Sequence, residues 1–360
     1  MVILKDIFED TYRGKKVFVT GHTGFKGSWL IGWLHALGAE IRGYALNPGN
    51  VGDLFYQIKG ADLCDSIIAD IRDKGQLEKA VTSFQPDFIF HLAAQPLVRL
   101  SYQIPVETFE TNIIGTVNLL NSLRFLEKAC VTIVVTTDKV YENKEWYHPY
   151  RESDILGGYD PYSASKACTE LAVSSYRNSF FPLNKFDKHN KAISTARAGN
   201  VIGGGDFSKD RLIPDIIKAL QNNEPIIIRN PHAVRPWQHV LEPLSGYLLL
   251  GNLLQKDPFQ YSDAWNFGPY NDDTLTVEEI VKKVIEIWGG GTYTIDTNSN
   301  HLHEAGLLQL DISKSMNSMK WRPKLNAEKR LAYAIEEYKQ LTVGNNNIIF
   351  KQIDYFQNLQ

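Results

Sequence analysis

The sequence predicts an α/β protein built on a doubly wound parallel sheet, with a smaller, mixed α/β lobe toward the C-terminus. Residues 87–92 and 131–136 are almost continuously apolar, as are strands buried on both faces of a parallel sheet. Helix-like stretches at 74–84 and 106–126 separate these strands. Short buried strands that alternate with helices in this way are typical of βαβ units.

The same alternation runs through the first half of the chain. Residues 17–20 form a short β-branched run, and glycines lead from it into a helix over 24–37. Residues 40–46 and 62–69 are the next apolar stretches, and residues 192–196 complete the last regular unit. We therefore expect these strands to share one sheet.

After Arg197 the pattern loosens. A glycine loop at 203–206 precedes a short helix and a strand, and a helix at 242–254 is expected to pack back onto the sheet. The smaller lobe is completed by segments at 212–221, 225–229, 265–268, 277–288 and 325–341. The tail 342–360 is polar with scattered aromatic residues, and we infer no function from it.

Composition narrows the class of protein. The 360 residues carry a formal net charge of −3, which gives no indication of a nucleic-acid or anionic-membrane partner. Cys64, Cys130 and Cys168 are far apart and lack the spacing of a metal or redox site. His301 and His303 also lack a suitably spaced third ligand, so no metal is expected. With no signal peptide or membrane-spanning run apparent, the sequence predicts a soluble cytoplasmic protein.

A glycine-rich turn follows the first strand directly and opens a helix. Gly21, Gly24 and Gly27 allow a tight turn, so a pyrophosphate can approach backbone amides at the positive end of the helix. This predicts a dinucleotide cofactor on a Rossmann-like sheet. Asp70 follows the third apolar stretch and either accepts from an adenine amine or caps a helix. No carboxylate lies about 20 positions past the glycines, where Asn47 stands instead, so NAD is predicted with NADP left open.

Tyr162 and Lys166 are the main candidates for chemistry. They lie four residues apart in a predicted helix and share a face, where the Lys166 ammonium is expected to favour the Tyr162 phenolate. A phenolate can take a proton from a sugar alcohol while a hydride leaves the carbon. Just upstream, Thr137, Asp138 and Lys139 end a strand, and the last two suggest a second proton transfer. The alternatives are an amphipathic surface pair and a solvated strand end.

Several segments together resemble the extended short-chain dehydrogenase/reductases that act on nucleotide sugars. They are residues 20–29, 91–101, 158–166, 197–206, 211–215 and 235–240. Within that group, His22, Lys26, the pair Asp138 and Lys139, and the run Arg235-Pro-Trp-Gln-His resemble the cytidylyl branch of the 4,6-dehydratases. The resemblance covers nearly the whole chain up to about Leu341.

The resemblance implies roles for matching positions. Tyr162 is the expected base for the hexose 4-hydroxyl, Lys166 tunes it and holds the nicotinamide ribose, and Thr137 bonds the same hydroxyl. Asp138 and Lys139 are expected to serve the elimination. The implied NAD ligands are Gly21, Thr23, Gly24, Phe25, Lys26, Gly27, Asp70, Ile71, Leu92, Ala93, Ala94, Tyr162 and Lys166. The implied substrate ligands are Gln95, Asn200, Arg211, Leu212, Arg235 and Asn266.

The resemblance also implies an NAD-binding domain over residues 1–196 with about 238–260, and a nucleotide-sugar lobe over 197–237 and 261–341. It implies CDP-glucose as substrate, a homodimer or higher homo-oligomer through a helix bundle, and a place in deoxysugar biosynthesis, including that of lipopolysaccharide O-antigen. Two rival functions are a nucleotide-sugar 4-epimerase and a non-catalytic NAD-binding regulator. The epimerase has no need for Asp138 and Lys139, and the regulator has no need for a poised Tyr162.

Overall fold

The computed structural model describes residues 4–208, 210–296 and 307–359. His301 and His303, considered above as metal ligands, lie outside the described residues.

Strands occur in the described residues with the following bounds: β1 (Lys16–Thr20), β2 (Glu40–Ala45), β3 (Asp65–Ile68), β4 (Phe88–His91), β5 (Cys130–Val135), β6 (Lys191–Ala198), β7 (Val201–Ile202), β8 (Ile226–Ile228), β9 (Val234–Arg235), β10 (Gln238–His239), β11 (Ala264–Phe267), β12 (Leu275–Thr276) and β13 (Tyr293–Ile295). The helices are α1 (Leu4–Tyr12), α2 (Phe25–Ala36), α3 (Leu54–Gln57), α4 (Gly60–Leu63), α5 (Lys74–Phe84), α6 (Val98–Gln103), α7 (Pro105–Phe109), α8 (Gly115–Ser122), α9 (Pro161–Ser179), α10 (Phe186–His189), α11 (Leu212–Gln221), α12 (Leu241–Lys256), α13 (Pro258–Tyr261), α14 (Val277–Trp288), α15 (Ala327–Thr342) and α16 (Asn347–Asn358).

The central sheet has seven strands in the order β3-β2-β1-β4-β5-β6-β11, and every pairing within it is parallel. Alternate residues of each strand face opposite layers of helices. Phe18 and Ile89 pack with α5, α8 and α9 on one face, while Val19 and Phe90 pack with α2 and α12 on the other. The predicted doubly wound fold is confirmed. The strand order reverses between β1 and β4, which is where such sheets open a ligand cleft.

The smaller lobe is built from three two-stranded pairs. β7 pairs with β10 and β8 with β13 in parallel, while β9 pairs with β12 in antiparallel. Helices α11, α14 and α15 surround a separate apolar cluster that includes Ile216, Val281 and Ile335. This lobe stands over the end of the sheet where β5 and β6 finish.

Residues 265–268, which the sequence analysis placed in the smaller lobe, occupy a different position. Residues 265–267 belong to β11, which pairs with β6 from Ala264↔Thr195 to Phe267↔Ala198 and adds a seventh strand to the central sheet. All four residues of β11 are buried, so the segment is stabilised as a core strand rather than as part of a surface lobe.

The stretch 106–126, predicted as one helix, is interrupted. A π-helical turn, Glu110–Ile114, joins α7 to α8, and a 3₁₀ turn follows α8. The turn directs the buried Asn112 side chain toward two neighbouring segments. The Asn112 side-chain oxygen accepts from the backbone amide of Gln95 at 2.8 Å, and its nitrogen donates to Ser165 Oγ at 2.8 Å. These two bonds account for the wider turn, because they fix the segment after β4 against α9.

The tail forms a helix that belongs to the core. Ile349, Ile353 and Phe356 of α16 are buried against the α1–α2 layer. Trp33 Nε1 donates to Gln357 Oε1 at 2.8 Å and links α2 to α16. Among the helices that the structure describes, none has both the length and the apolar composition needed to cross a bilayer.

Candidate active site

A cavity of about 1410 Å³ opens at the carboxyl ends of β1, β4 and β5 and extends beneath the smaller lobe. It is larger than the roughly 300–1,000 Å³ of an ordinary small-molecule site, so it has room for two ligands side by side. Most residues predicted for the site line it, namely Gly21, Thr23, Gly24, Phe25, Lys26, Gly27, Asp70, Ile71, Leu92, Ala93, Ala94, Thr137, Lys139, Tyr162, Lys166, Asn200, Arg211, Leu212 and Arg235.

Two of the three glycines in the turn, Gly21 and Gly27, have no space for a side chain. Gly21 has a φ of +74°, and a Cβ there would lie 2.7 Å from the Ala93 nitrogen. A Cβ on Gly27 would lie 2.0 Å from the Gly21 carbonyl oxygen. The N-cap residue of α2 is Gly24, which has no side chain to cap the first amides of the helix. The backbone thus offers free donors at a helix N-terminus next to open space, which fits the pyrophosphate of a dinucleotide.

The two unusual residues of this turn point in different directions. His22 is buried away from the cavity, with Nε2 2.7 Å from Ser66 Oγ, and burial lowers its pKa to about 4. Lys26 lines the cavity. Burial lowers the pKa of Lys26 to about 7, and the positive charges of Arg211 and Lys166 act in the same direction.

Asp70, which follows β3, lines the cavity and already forms an ion pair. Arg72 pairs with it at 2.7 Å, and this hydrogen bond holds the pKa of Asp70 below its usual value. Ile71 and Ala93 provide apolar lining nearby. Thr20 Oγ1 accepts from the amides of Leu92 and Ala93 at 3.1 Å each and so fixes the end of β4.

The polar side chains after β5 form a connected group. Thr137 Oγ1 donates to Asp138 Oδ1 at 2.9 Å. Lys139 Nζ donates to the same oxygen at 3.3 Å and to Asn200 Oδ1 at 3.2 Å. Only 1% of the Asp138 side chain is exposed, and its Oδ2 has no hydrogen-bond partner among the described residues. Asp138 therefore lies just behind the cavity surface, and Lys139 and Thr137 connect it to the cavity.

Tyr162 and Lys166 project from the first turns of α9, which Asp160 caps by accepting from the Ser163 amide at 3.0 Å. Burial raises the pKa of Tyr162 to about 12, while hydrogen bonding to Thr137 acts in the opposite direction. Lys166 Nζ donates to the Val135 carbonyl at 3.1 Å, and burial lowers the pKa of Lys166 to about 8. Burial thus dominates at the phenol, and Lys166 binds the backbone, so the expected effect of Lys166 on the Tyr162 phenolate stays a prediction.

Two arginine side chains from the smaller lobe line the cavity. Arg211 pairs with Asp206 at 2.8 Å, and Asp206 is buried with only 2% of its surface exposed. The Tyr338 hydroxyl donates to the Asp206 carbonyl at 2.6 Å, so α15 holds this loop in place. Arg235 also lines the cavity from β9. Both guanidinium groups line the cavity, and a guanidinium group is a suitable ligand for a diphosphate.

Comparison with known proteins assigns the family. The model of the GDP-mannose 4,6-dehydratase family matches residues 18–333. The chain belongs to this family. It is also 47% identical over 343 residues to the CDP-glucose 4,6-dehydratase of Salmonella typhimurium, covering 95% of this chain and 96% of that protein. The predicted resemblance to nucleotide-sugar dehydratases is confirmed.

Solved structures share the fold of this family member. The UDP-glucose 4-epimerase of Thermus thermophilus in complex with NAD has a TM-score of 0.75 at 23% identity and covers 90% of this chain and 99% of its own. The dTDP-glucose 4,6-dehydratase of Streptomyces venezuelae, with NAD and TYD bound, has a TM-score of 0.74 at 22% identity and covers 90% of this chain and 97% of its own.

Two predicted substrate ligands of this dehydratase-family chain do not reach the cavity. The side-chain nitrogen of Gln95 donates to the Leu97 carbonyl and, at 2.9 Å, to the Thr108 hydroxyl. Its side-chain oxygen accepts from the backbone amide of Leu97. Asn266 is fully buried in β11. Its side chain accepts from the Tyr141 hydroxyl and donates to the carbonyls of Tyr150 and Asp311, so its hydrogen-bonding capacity is already used. We therefore assign both residues to the scaffold of the site.

The sequence analysis missed two residues next to the cavity. Asp206 was part of a quoted motif but was not recognised as the partner of Arg211. Glu170 lies behind Lys166 on α9, and its spacing of four residues from Lys166 and eight from Tyr162 could have indicated it. Within residues 4–208, 210–296 and 307–359, no three His, Cys, Asp or Glu side chains are grouped as metal ligands would be.

Proposed function

We propose that this protein is an NAD-dependent lyase that converts CDP-glucose to CDP-4-keto-6-deoxyglucose and water. The observation that carries the proposal is the meeting of Tyr162 and Lys166 with Thr137, Asp138 and Lys139 at one cavity that has room for two nucleotides. The relative from Salmonella typhimurium, a CDP-glucose 4,6-dehydratase, supports the choice of substrate.

When bound, NAD supplies the acceptor for the hydride that leaves the hexose C4 and the donor of the hydride that returns at C6. Tyr162 accepts the proton of the 4-hydroxyl. Because burial raises its pKa to about 12, forming the phenolate depends on nearby positive charge, and Arg211 already acts in that direction. Thr137 holds the same hydroxyl through its own oxygen.

The resulting ketone acidifies the hydrogen on C5, which makes loss of the C6 hydroxyl feasible. A base must remove the C5 proton and an acid must protonate the leaving hydroxyl. When hydride adds at C6, a proton must be returned to C5, so the group that removed the first proton can supply it. Asp138 and Lys139 are 3.3 Å apart and share one hydrogen bond, so we assign the two tasks to them as a pair rather than one task to each. Asn200 holds Lys139 from the substrate side at 3.2 Å.

A nucleotide-sugar 4-epimerase would use Tyr162, Lys166 and NAD in the same way but would keep the C6 hydroxyl. It would have no use for a second acid–base pair at the strand end. The linked Asp138 and Lys139 therefore favour the dehydratase over the epimerase, and a cavity-lining Tyr162 favours an enzyme over a non-catalytic regulator.

We extend the proposal to the assembly and the pathway. Val106 and Leu171, on neighbouring helices α7 and α9, are 63% and 59% exposed, which supports a homodimer or higher homo-oligomer through these helices. Sedimentation of the purified protein tests this, and Leu171→Glu should shift it toward the monomer. A place in deoxysugar biosynthesis, including that of lipopolysaccharide O-antigen, follows from the proposed product.

The direct test of function is a substrate panel. The protein with NAD is incubated with CDP-glucose, dTDP-glucose, UDP-glucose and GDP-mannose, and the 4-keto product is read from its absorbance after alkali treatment. We expect product from CDP-glucose at a rate at least tenfold above the others. Conversion of CDP-glucose to CDP-galactose without loss of water would identify an epimerase instead.

A further inference from the structure

Glu170 is a buried carboxylate that the proposed reaction does not use directly. Only 4% of its side chain is exposed. It accepts hydrogen bonds from Thr136 Oγ1 at 2.5 Å, from Thr195 Oγ1 at 2.7 Å, and from Nε and Nη2 of Arg197 at 3.0 Å each. A buried carboxylate with four donors is fixed in one position, because any displacement breaks several bonds at once.

These bonds connect the three elements that carry the active site. Glu170 belongs to α9, on the same face as Tyr162 and Lys166. Thr136 directly precedes Thr137 at the end of β5. Arg197 lies near the end of β6, three residues before Asn200, and donates in turn to the Tyr141 hydroxyl at 2.9 Å.

The α9 helix is thereby attached to the end of β5 at two successive residues. Lys166 binds the carbonyl of Val135, and Glu170, one helical turn later, binds the hydroxyl of Thr136. A helix held at two points one turn apart has little freedom to slide or rotate against the strand. The register between Tyr162 and Thr137 follows from these two attachments.

Glu170 also provides negative charge near Lys166. In the part of the chain that the structure describes, the charged or titratable groups that interact electrostatically with Lys166 include Lys26 from α2, His91 from β4 and Glu170 from α9 itself. Burial lowers the pKa of His91 to about 3, which leaves its ring neutral, and Lys26 can only repel a second ammonium. Glu170 is thus the group that opposes the effect of burial on the pKa of Lys166.

We propose that Glu170 is a positioning residue of the active site, which fixes the end of β5 against α9 and places a buried negative charge one helical turn after Lys166. This proposal takes from the proposed function only the role of Lys166 in the reaction. The physical effect on Lys166 can be measured without turnover.

The experiment compares Glu170→Gln, which removes the charge and keeps the shape, with Glu170→Asp, which keeps the charge. The rate at which a small acylating reagent modifies Lys166 is followed by peptide mass spectrometry from about pH 6 to about pH 10. In Glu170→Gln, the midpoint of this profile should fall by about one pH unit, because the opposing carboxylate is gone. In Glu170→Asp, the midpoint should stay within a few tenths of a unit while turnover falls, since the shorter side chain loosens the attachment to Thr136.

Turnover gives the second readout. The alkaline limb of the kcat profile should move to lower pH in Glu170→Gln and remain in place in Glu170→Asp. The matched control is Glu152→Gln, which removes another partly buried carboxylate of the same network, one that accepts from the Asn266 amide at 2.9 Å. Glu152 does not act on Lys166, so both profiles should keep their midpoints.

An unchanged Lys166 midpoint in folded Glu170→Gln would overturn the proposal, and so would an equal shift in Glu152→Gln. If Glu170→Gln alone does not fold, the double change Glu170→Gln with Arg197→Met removes both buried charges of the ion pair. A smaller fall of the midpoint is expected there, because loss of the Arg197 charge acts in the opposite direction. Should wild-type protein make no 4-keto sugar, the proposed function fails, whereas the labelling midpoint still decides the role of Glu170.

Discussion

At the scale of single residues, Tyr162 is the group on which the proposed oxidation depends. Tyr162→Phe should lower kcat by about 10²–10⁴-fold, the range typical of a lost general base, and leave the fold intact because the ring still fills its place. The rate of 4-keto product formation measures this. Tyr176→Phe is the matched control, since Tyr176 lies on the same helix, packs on Phe180 and does not line the cavity. Comparable turnover in the Tyr162 and Tyr176 variants would contradict the assignment.

Asp138 is expected to matter later in the reaction. Asp138→Asn keeps the shape and the bond from Thr137 but removes a group that can exchange a proton with the leaving hydroxyl. Water loss should slow more than C4 oxidation, so absorbance of reduced nicotinamide should accumulate when the variant is mixed rapidly with CDP-glucose. Dehydration at the normal rate with no accumulation would remove Asp138 from the elimination.

Some of the site residues could be predicted from the sequence and others could not. The spacing of Tyr162 and Lys166 and the glycines at 21, 24 and 27 indicated cavity-lining groups without any coordinates. The sequence did not reveal that Asp138 lies behind the cavity surface, with an oxygen that no described residue binds. Nor did it reveal that Lys166 bonds to Val135 rather than to Tyr162. Both features depend on how α9 packs against β5, and the local sequence pattern does not determine this packing.

At the scale of elements, α16 contributes to the stability of the sheet domain. Phe356 is fully buried and packs edge-on against Trp33. Phe356→Ala should lower the free energy of unfolding by about 3–5 kcal/mol, because it leaves a cavity between two helices. Urea unfolding measures the change. Tyr355→Ala is the control, since Tyr355 is 56% exposed and its loss should cost about 1 kcal/mol or less. Equal costs would show that α16 is not docked as described.

Elements were predicted well where periodicity was strong and less well where packing decides. Helix α5 and helix α11 begin and end at the predicted residues. The π turn before α8 was missed because it depends on Asn112 binding Gln95 and Ser165, which are distant in sequence. The segment that forms β11 was predicted to lie in the smaller lobe, whereas it pairs with β6 in the central sheet. A short apolar strand has the same sequence pattern in either position.

At the scale of the whole molecule, Glu242 couples stability to pH. It is 1% exposed at the start of α12, and its Oε1 accepts from the amides of Lys324 and Leu325 at 2.8 and 2.6 Å. Its Oε2 has no partner among the described residues, and burial raises its pKa to about 7. The folded state thus holds this proton more tightly than the unfolded state, so its contribution to stability is full below about pH 4.5 and is lost as pH rises through about 7.

Glu242→Gln should remove this dependence. The difference in Tm between the variant and the wild type should move in favour of the variant as pH rises from about 5 to about 8, with a linked free energy of about 3 kcal/mol at most. Thermal unfolding followed by circular dichroism over that range measures it. Glu328→Gln, at the start of α15, serves as control and should show a constant difference. A constant difference for Glu242→Gln would show that this carboxyl does not hold its proton in the folded protein.

In the proposed reaction, a hexose bound in one cavity is oxidised, loses water and is reduced again. The most direct test uses CDP-glucose with deuterium on C4, incubated with the enzyme and NAD until the 4-keto product has formed. We expect the deuterium in the C6 methyl group of the product, read by NMR and mass spectrometry. A product methyl group without deuterium, or an unaltered CH₂OH at C6, would contradict the account.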